Sequence, residues 1–302
     1  MSAPLPSPGL VHVSDPAQRP FASLDWRERL ERLRGTIAGY GHVVVAYSGG
    51  VDSSLVLRVA HEQLGERALG VIGRSDSYAA RELALALSQA ESFGARIEVV
   101  TTGELSDPAF AANGTDRCYH CKSELYRELR LVAARDGAAV VLDGTIADDL
   151  ADFRPGRRAA DESDVLSPLA ALGFSKADVR SAAEHLQLPS GGKPASPCLA
   201  SRIPYGTPVT AEALAMIEAA EQGLRDLGFA ELRVRHHGDV ARIELPAGEL
   251  ARILEPGCRE RVVGVVLSTG YRFVTLDLEG FRSGSLNRGM VAGTAIPGAP
   301  TN

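Results

Sequence analysis

The sequence at residues 42–54 is HVVVAYSGGVDSS, in which an apolar run precedes Ser48, two glycines, an acidic residue and two further serines. The run of β-branched residues predicts a buried strand, and the glycines predict a tight turn. A helix that begins after such a turn presents free backbone N–H groups to which an anion can bind. We therefore predict a strand, a turn that faces a phosphate, and the start of a helix.

The side chains of this turn indicate which anion it binds. Gly49 and Gly50 let the backbone approach a pyrophosphate closely, and the neighbouring hydroxyls can donate to it. A P-loop carries a lysine after its last glycine, whereas this chain has Val51-Asp52 there. An acidic residue suits a phosphate bridged by Mg²⁺, because a hard cation binds carboxylate and phosphate oxygens together. The alternative is a Gly-Ser turn with a serine N-cap.

Length, charge and cysteine content limit the class of protein. A chain of 302 residues can form two domains. No apolar run approaches the roughly 20 residues that span a bilayer, and the Pro-rich start lacks the features of a secretory signal, so we expect a cytoplasmic protein without a membrane partner. A net charge of −6 disfavours a nucleic-acid partner. The four cysteines are too few for a disulfide scaffold, and Cys258, which lies in no motif, is assigned to the core.

Helix and strand patterns alternate along the first 190 residues. Strands are predicted at 42–47, 68–73, 96–100 and 139–142, and helices at 25–38, 53–64, 79–92, 119–135 and 175–187. This alternation is typical of an α/β fold with a doubly wound parallel sheet. After a Gly- and Pro-rich loop, a second, smaller α+β domain is predicted from helix 210–227, strands 230–236 and 239–245, helix 247–268 with a break at Pro256-Gly257, and strand 272–278.

Three turns follow strand ends in the predicted sheet, at 48–54, 74–77 and 143–145. Ligands of such sheets bind beyond the carboxyl ends of the strands, so these turns should meet at one crevice. The residues expected to bind a nucleotide there are Ala46, Ser48, Gly49, Gly50, Asp52, Ser53, Ser54, Arg74, Ser75 and Gly144. Asp148 joins Asp52 as a candidate Mg²⁺ ligand, although a helix N-cap at Asp148 or Asp149 explains it equally well.

Cys118 and Cys121 form a CxxC motif that suits three kinds of site. A redox dithiol, half of a zinc site and two ligands of an iron–sulfur cluster all fit the spacing, as does a pair of buried apolar cysteines. Cys198 is the natural third thiolate, and Lys193 and Arg202 would favour its ionised form if they approach it. Three thiolates would leave one iron of a four-iron cluster open to sulfide or to a substrate atom.

Two arginines alternate on a predicted strand of the second domain. Side chains two residues apart share one face of a strand, so Arg233 and Arg235 predict a compact anion site, unless that face is simply solvated. Together with Ser201 and Arg202 they predict a phosphorylated or polycarboxylate substrate that binds between the domains.

Several segments together resemble the LarE family of the ATP pyrophosphatase, or PP-loop, superfamily. These segments are SGGVDSS at 48–54, DGTIADD at 143–149, SPL at 167–169, KPASPCLASRIPYG at 193–206 and RVRHH at 233–237. The resemblance covers most of residues 25–280. It implies the PP-loop fold and an enzyme that uses ATP and Mg²⁺ and releases AMP and pyrophosphate. Its substrate would be pyridinium-3,5-biscarboxylic acid mononucleotide, whose carboxylates become thiocarboxylates in the synthesis of the nickel-pincer nucleotide cofactor.

The resemblance also implies two styles of sulfur supply. In one, the cysteine that matches Cys198 attacks the acyl adenylate and gives up its own sulfur, which leaves dehydroalanine. The other is more similar to this chain, because Cys118, Cys121 and Cys198 would hold a [4Fe-4S] cluster and the protein would not be consumed, so that sulfide or another sulfur donor is needed. The family further implies substrate contacts by the serine and arginines named above, and a homo-oligomer.

On this basis we predict five parts of the chain and keep two other functions open. The parts are a mobile arm at 1–22, a PP-loop domain at 23–190, a catalytic connecting loop at 191–209, an α+β domain for substrate binding or oligomerisation at 210–282, and a disordered tail at 283–302. One alternative is a PP-loop tRNA thiolase, which the acidic charge disfavours. The other is a regulatory module that binds an adenine nucleotide and releases no pyrophosphate.

Overall fold

The computed structural model describes residues 24–150, 155–192 and 196–282. The predicted arm, the predicted tail and Lys193 lie outside these ranges, and the predicted domain boundaries stay predictions. The described residues form two β-sheets with helices packed against them.

The helices and strands alternate through most of the chain. The helices are α1 (Trp26–Tyr40), α2 (Val51–Leu64), α3 (Ala80–Ser92), α4 (Pro108–Ala111), α5 (Arg117–Asp136), α6 (Pro155–Glu162), α7 (Pro168–Ala171), α8 (Lys176–His185), α9 (Ala211–Asp226), α10 (Leu250–Ile253) and α11 (Cys258–Leu267). The strands are β1 (Val43–Ala46), β2 (Ala68–Arg74), β3 (Arg96–Thr101), β4 (Val140–Leu142), β5 (Val165–Leu166), β6 (Arg233–His237), β7 (Val240–Glu244) and β8 (Phe273–Leu276). Among the described residues, no helix combines the length and the apolar character needed to cross a membrane.

The first sheet contains five parallel strands in the order β3-β2-β1-β4-β5. Val43 of β1 pairs with Ala68 of β2 on one side and with Val140 of β4 on the other. The chain therefore builds outward from β1 to β3 and then returns to the opposite side of β1. At such a reversal the connections leave β1 on opposite faces and open a crevice at its carboxyl end. The predicted doubly wound α/β fold is confirmed.

The apolar run of β1 is buried on both faces of the sheet. Val43 and Val45 pack with α1, α2 and α8, whereas Val44 packs with α5 on the other face. All three valines are inaccessible to solvent. A strand covered on both faces has no polar side, which is why its sequence is continuously apolar rather than alternating.

The second sheet is smaller and mixed. Strand β6 pairs with β7 in antiparallel orientation, and β7 pairs with β8 in parallel orientation. Its core lies against α9 and α11 and includes Cys258, which is buried as predicted. The predicted second, smaller α+β unit is confirmed, and the break in its last helix is found between α10 and α11.

Three elements between 143 and 175 are absent from the prediction. They are helices α6 and α7 and strand β5, which adds the fifth strand to the first sheet. Strand β5 has only two residues, too few to show any alternation of apolar and polar side chains. Its position depends on pairing with β4, which is a tertiary contact.

Candidate active site

The turn after β1 has the geometry of an anion-binding loop. Gly50 is the N-cap residue of α2, and Gly49 has φ +67°, a left-handed conformation that favours glycine. A Cβ atom on Gly49 would lie 2.6 Å from Cβ of Ala86, so the turn also has no room for a side chain. The Ser54 hydroxyl donates to the Gly50 carbonyl at 2.7 Å, and the hydroxyls of Ser48 and Ser53 lie 3.1 Å apart. The loop is therefore held in place before any ligand binds.

The turn after β4 packs directly against this loop. A Cβ atom on Gly144 would lie 2.6 Å from the backbone nitrogen of Ser53, so only glycine allows this contact. Asp143 beside it is buried and accepts hydrogen bonds from Thr145 and from the hydroxyls of Ser167 and Tyr126. The structure thus brings the first and third predicted turns together, and Asp143 fixes the position of the third.

The turn after β2 lies on the other side of the loop. Tyr78 donates its hydroxyl hydrogen to the Ser48 carbonyl at 2.9 Å and so joins the two turns. Arg74 and Ser75 line a cavity of about 440 Å³, whose other wall is formed by residues 101–106 after β3. All three predicted turns therefore lie at the carboxyl edge of the sheet.

A lysine that the sequence analysis missed pairs with the acidic residue of the loop. Lys176 is the first residue of α8, and its ammonium group donates to both carboxylate oxygens of Asp52, at 2.8 and 2.7 Å. The turn Ser175–Asp178 forms a capping box that fixes where α8 begins. Lys176 on α8 therefore provides a positive charge that the loop itself lacks. Mg²⁺ at Asp52 would have to share or displace this ammonium group.

Asp148 holds the backbone at the start of α8 but is not its N-cap residue, which is Ser175. Its carboxylate accepts a hydrogen bond at 2.8 Å from the backbone nitrogen of Lys176, at the start of α8. Asp149 accepts a hydrogen bond from the Ile146 nitrogen within its own turn. Both carboxylates hold the backbone around the loop, and Mg²⁺ binding by Asp148 stays a prediction.

Two of the three predicted cysteines pack against one apolar cluster. Cys118 is exposed near the start of α5, whereas Cys121 and Cys198 are partly buried against a cluster that includes Phe110 and Leu199. Burial raises the pKa of Cys121, and so do Glu104 and, less strongly, Cys198 and Cys118. The thiols are thus close enough to affect one another.

The predicted effect of Arg202 on the Cys198 thiol is present, but burial outweighs it. Burial raises the pKa of Cys198, although Arg117 and, more weakly, Arg202 act in the opposite direction. Arg202 does approach the thiol, as predicted, but desolvation of the charged form outweighs its effect.

A buried clamp holds the Cys198 loop against α5. Asn113 is fully buried with φ +57°, and its side-chain amide donates to the Pro204 carbonyl at 2.8 Å. Arg117, directly before the CxxC motif, donates to the Asn113 side-chain oxygen and, at 2.8 Å, to the Ala200 carbonyl, two residues after Cys198. Left-handed backbone is uncommon for a residue other than glycine and needs such support. The clamp therefore sets where the third thiol stands relative to the other two.

An iron–sulfur cluster held by the three thiols stays a prediction. In the described ranges, no three His, Cys, Asp or Glu side chains stand as ligands of a single metal ion. The thiolates of a cubane bind different irons and stand further apart than the ligands of one ion, so this finding does not bear on a cluster. Thiols that raise one another's pKa would be stabilised together as thiolates by a shared cationic core.

The predicted substrate arginines are buried rather than solvated. Arg202 forms a bidentate ion pair with Glu221, with N–O distances of 2.9 and 3.0 Å, and both side chains are almost fully shielded. Arg235 donates to Glu244 at 2.7 Å and to the Ser201 carbonyl at 3.0 Å. The loop of Ser201 and Arg202 is thus joined to α9 by a buried ion pair and to β6 by a hydrogen bond. The alternative, that this face of β6 is solvated, is wrong.

The charged groups that act on Arg233 are mostly positive. Burial, together with Arg202, Arg235 and Arg225 and against the opposing effect of Glu221, lowers its pKa to about 10. Its guanidinium also lies 5.0 Å from the centre of the Phe281 ring. A buried cation whose charge is disfavoured is stabilised when an anion binds next to it. The site around Arg233 is therefore suited to a phosphate or carboxylate.

We expect Glu221→Gln to lower the free energy of unfolding by roughly 3–5 kcal/mol at pH 7, because it leaves the buried Arg202 uncompensated. Burial disfavours the ionised form of Glu221, but Arg202 and Arg225 hold its pKa below the ordinary 4.5. The stabilisation is therefore complete above pH 4.5 and is lost as the pH falls through the lower pKa of the folded state. Urea unfolding at pH 7 and at lower pH measures both effects.

The control is Glu31→Gln. Glu31 forms an ion pair with Arg34, and its side chain is 70% exposed. We expect it to change the free energy of unfolding by less than about 1 kcal/mol. Equal effects of the two substitutions would contradict the role given to the buried pair.

Comparisons with known proteins give three relatives that cover most of the chain. An uncharacterised protein of Synechocystis sp. is 44% identical over 260 residues, 86% of this chain and 97% of that protein. The pyridinium-3,5-bisthiocarboxylic acid mononucleotide synthase of Lactiplantibacillus plantarum is 43% identical over 246 residues, 81% of this chain and 88% of the synthase. An uncharacterised protein of Methanocaldococcus jannaschii is 29% identical over 241 residues, 80% of this chain and 91% of that protein.

No protein-family profile matches the chain. The identity to the Lactiplantibacillus plantarum synthase nevertheless covers 81% of this chain and 88% of the synthase. Identity of this extent does not arise from a shared short motif. The chain therefore belongs to the LarE family, the family of the pyridinium-3,5-bisthiocarboxylic acid mononucleotide synthases.

Proposed function

We propose that this chain is an ATP-dependent sulfurtransferase that makes pyridinium-3,5-bisthiocarboxylic acid mononucleotide from the corresponding biscarboxylic acid. The observation that carries the proposal is the 43% identity to the synthase named above. The product would serve the synthesis of a nickel-pincer nucleotide cofactor. The geometry of the site supports the same reaction, through the loop after β1, the three cysteines and the buried arginines.

Activation of the carboxylate is the first half of the proposed reaction. A carboxylate oxygen of the substrate attacks the α-phosphorus of ATP, the bond to the β-phosphate oxygen breaks, and pyrophosphate leaves. The first turn of α2 would hold the outgoing phosphates with its backbone N–H groups, and Lys176 would add a positive charge. Mg²⁺ bound near Asp52 would neutralise part of the phosphate charge.

Sulfur transfer is the second half. A sulfur nucleophile attacks the acyl carbon of the mixed anhydride and AMP leaves, which replaces one oxygen by sulfur. Cys118, Cys121 and Cys198 would hold a [4Fe-4S] cluster, which supplies sulfide bound at an iron without a thiolate ligand. In the alternative, the Cys198 sulfur attacks the acyl carbon and AMP leaves. A base then removes the Cα proton of Cys198 while its Cβ–S bond breaks, which releases the thiocarboxylate and leaves dehydroalanine.

The arginines would orient the substrate between these two halves. Arg233 and Arg235 would bind its phosphate or a carboxylate, since the excess positive charge around Arg233 favours an anion. Arg202 is committed to Glu221 and would act indirectly, by holding the loop of Ser201. A homo-oligomer and a cytoplasmic location stay predictions.

The proposal is tested with the purified chain, ATP, Mg²⁺, the biscarboxylic acid mononucleotide and sulfide, under anaerobic conditions. We expect pyrophosphate release that depends on the substrate, together with a product in which sulfur replaces oxygen, detected by mass spectrometry. ATP binding without pyrophosphate release would indicate the regulatory module instead. Pyrophosphate release that is stimulated by tRNA, and not by the mononucleotide, would indicate the thiolase.

A further inference from the structure

A small cleft beside Cys198 contains arginines to which the proposed reaction gives no role. The cleft lies between the first turn of α3, the loop of Cys198 and α9. Its walls include Arg81 on α3 and Arg225 on α9. Its volume of about 20 Å³ is sufficient for a group of a few atoms but not for a ring.

The charged side chains of this cleft carry one more positive than negative charge. Three arginines and two glutamates line it, namely Arg81, Arg202, Arg225, Glu82 and Glu221. Arg202 is fully committed, because its three nitrogens already donate to Glu221 and to backbone carbonyls of its own loop. Arg225 also donates to Glu221, at 2.9 Å, so two cations share this one carboxylate. The cleft therefore favours an anion.

Arg81 is the arginine of this set whose position the fold does not explain. It is exposed, and its guanidinium has no hydrogen bond or ion pair in the described ranges. It lies in the first turn of α3, where the helix dipole is positive and a cation is unfavourable. Arg81 therefore does not stabilise the helix that carries it, and its guanidinium is available to a ligand in the cleft.

The cleft borders both halves of the proposed reaction. Tyr78 on its wall donates its hydroxyl hydrogen to the Ser48 carbonyl, in the loop after β1, and Cys198 forms another wall. Arg225 is also one of the cations that lower the pKa of Arg233, so the cleft lies near the predicted phosphate site. A substrate whose phosphate binds at Arg233 would therefore reach the cleft with the carboxylates of its ring.

We infer that Arg81 and Arg225 bind the carboxylate of the substrate that is not reacting, and that this contact selects a biscarboxylate over a monocarboxylate. The inference rests on the proposed function. Sulfur is added to one carboxylate at a time, and the group that waits is an anion in both rounds. It is a carboxylate in the first round and a thiocarboxylate in the second, and guanidinium groups bind either.

The test measures substrate-dependent pyrophosphate release by the full chain with two substrates. One is the biscarboxylic acid mononucleotide, and the other is pyridinium-3-carboxylic acid mononucleotide, which lacks the second carboxylate. We expect Arg81→Gln to lower kcat/KM for the biscarboxylate about 10- to 100-fold, the loss expected for a hydrogen bond between charged groups, and to leave the monocarboxylate within about twofold. If the wild type binds the monocarboxylate without turnover, its inhibition constant replaces kcat/KM and should not change.

Three further variants separate binding from general effects. Arg81→Lys keeps the positive charge and should recover part of the preference for the biscarboxylate. Arg225→Gln should also lower this preference, and urea unfolding accompanies it because Arg225 pairs with Glu221. The control is Arg261→Gln, which removes a positive charge from an exposed position of α11 and should leave the preference unchanged.

The outcomes distinguish the inference from the proposed function. An equal preference for the biscarboxylate in the wild type and in Arg81→Gln would overturn the inference and leave the proposed function intact. Equal losses with both substrates would also overturn it, because they would indicate a general effect of charge or structure. A wild-type chain that releases pyrophosphate with neither mononucleotide would overturn the proposed function itself.

Discussion

Replacing Cys198 by alanine is expected to reduce thiocarboxylate formation by at least about a thousandfold, the order of loss found when a reacting nucleophile is removed. Both routes of sulfur supply use this thiol, as a cluster ligand or as the sulfur donor itself. Release of pyrophosphate in the presence of substrate should persist, because the loop after β1 contains none of the three cysteines. Product mass and pyrophosphate are measured in the same reaction.

The matched control is Cys258→Ala, because Cys258 is a buried cysteine in the core of the second sheet. It should retain thiocarboxylate formation in folded protein. Undiminished product from Cys198→Ala would remove this thiol from the reaction. The mass of the wild-type chain after turnover separates the two routes, since loss of one sulfur and two hydrogens at Cys198 indicates the sacrificial route and an unchanged mass indicates the catalytic one.

Replacing Lys176 by methionine is expected to reduce kcat/KM for ATP in pyrophosphate release by about 10- to 100-fold. The ammonium group lies 2.7 and 2.8 Å from the carboxylate oxygens of Asp52, in the first turn of α2, where the phosphates would bind. A charge-assisted hydrogen bond contributes about 1.5–3 kcal/mol, and each 1.4 kcal/mol is tenfold in rate. The measurement is the dependence of pyrophosphate release on ATP concentration.

The control is Arg180→Gln, which removes one positive charge from an exposed position of the same helix. It should leave kcat/KM for ATP within about twofold of the wild type, because exposed charges are screened by solvent. A double-mutant cycle with Asp52→Asn shows whether Lys176 acts on the phosphates or only on Asp52. If Lys176→Met causes no loss in the Asp52→Asn background, direct contact with the phosphates is excluded.

The arrangement of β1, α2 and the loop between them can be predicted from residues 42–54 alone. A continuous apolar run predicts a strand buried on both faces, and Gly49 is needed for a left-handed turn that also touches Ala86. These are local requirements of the backbone, so they leave a local signal. The two-residue strand β5 leaves none, because its formation depends on the neighbouring β4.

The candidate site is predictable only where a motif contains the residue. Cys118, Cys121 and Cys198 are identified by their motifs, whereas Lys176, Glu104 and the clamp of Asn113 and Arg117 occur in sequence contexts typical of ordinary surface or core positions. Each of these residues acts through a partner far along the chain. Lys176, for example, is 124 residues from Asp52.

Arg202 and the arginines of β6 also show that the sequence does not predict which group a charged side chain contacts. Their sequence pattern predicts cations that face a ligand, and the structure buries Arg202 against Glu221 and Arg235 against Glu244. Whether an arginine binds a substrate or a neighbouring carboxylate depends on which side chains the fold brings within about 3 Å. Spacing along the chain carries no information on that distance.

The sequence by itself determined the α/β class, the anion-binding loop, the three thiols and the family, because each depends on residue types in a fixed local order. Only the tertiary structure decided which charges are paired, that burial outweighs nearby cations in raising the pKa of Cys198, and that Glu104 stands beside Cys121. Electrostatic effects depend on distance and on exclusion of water, and both are set by contacts between residues that are remote in sequence.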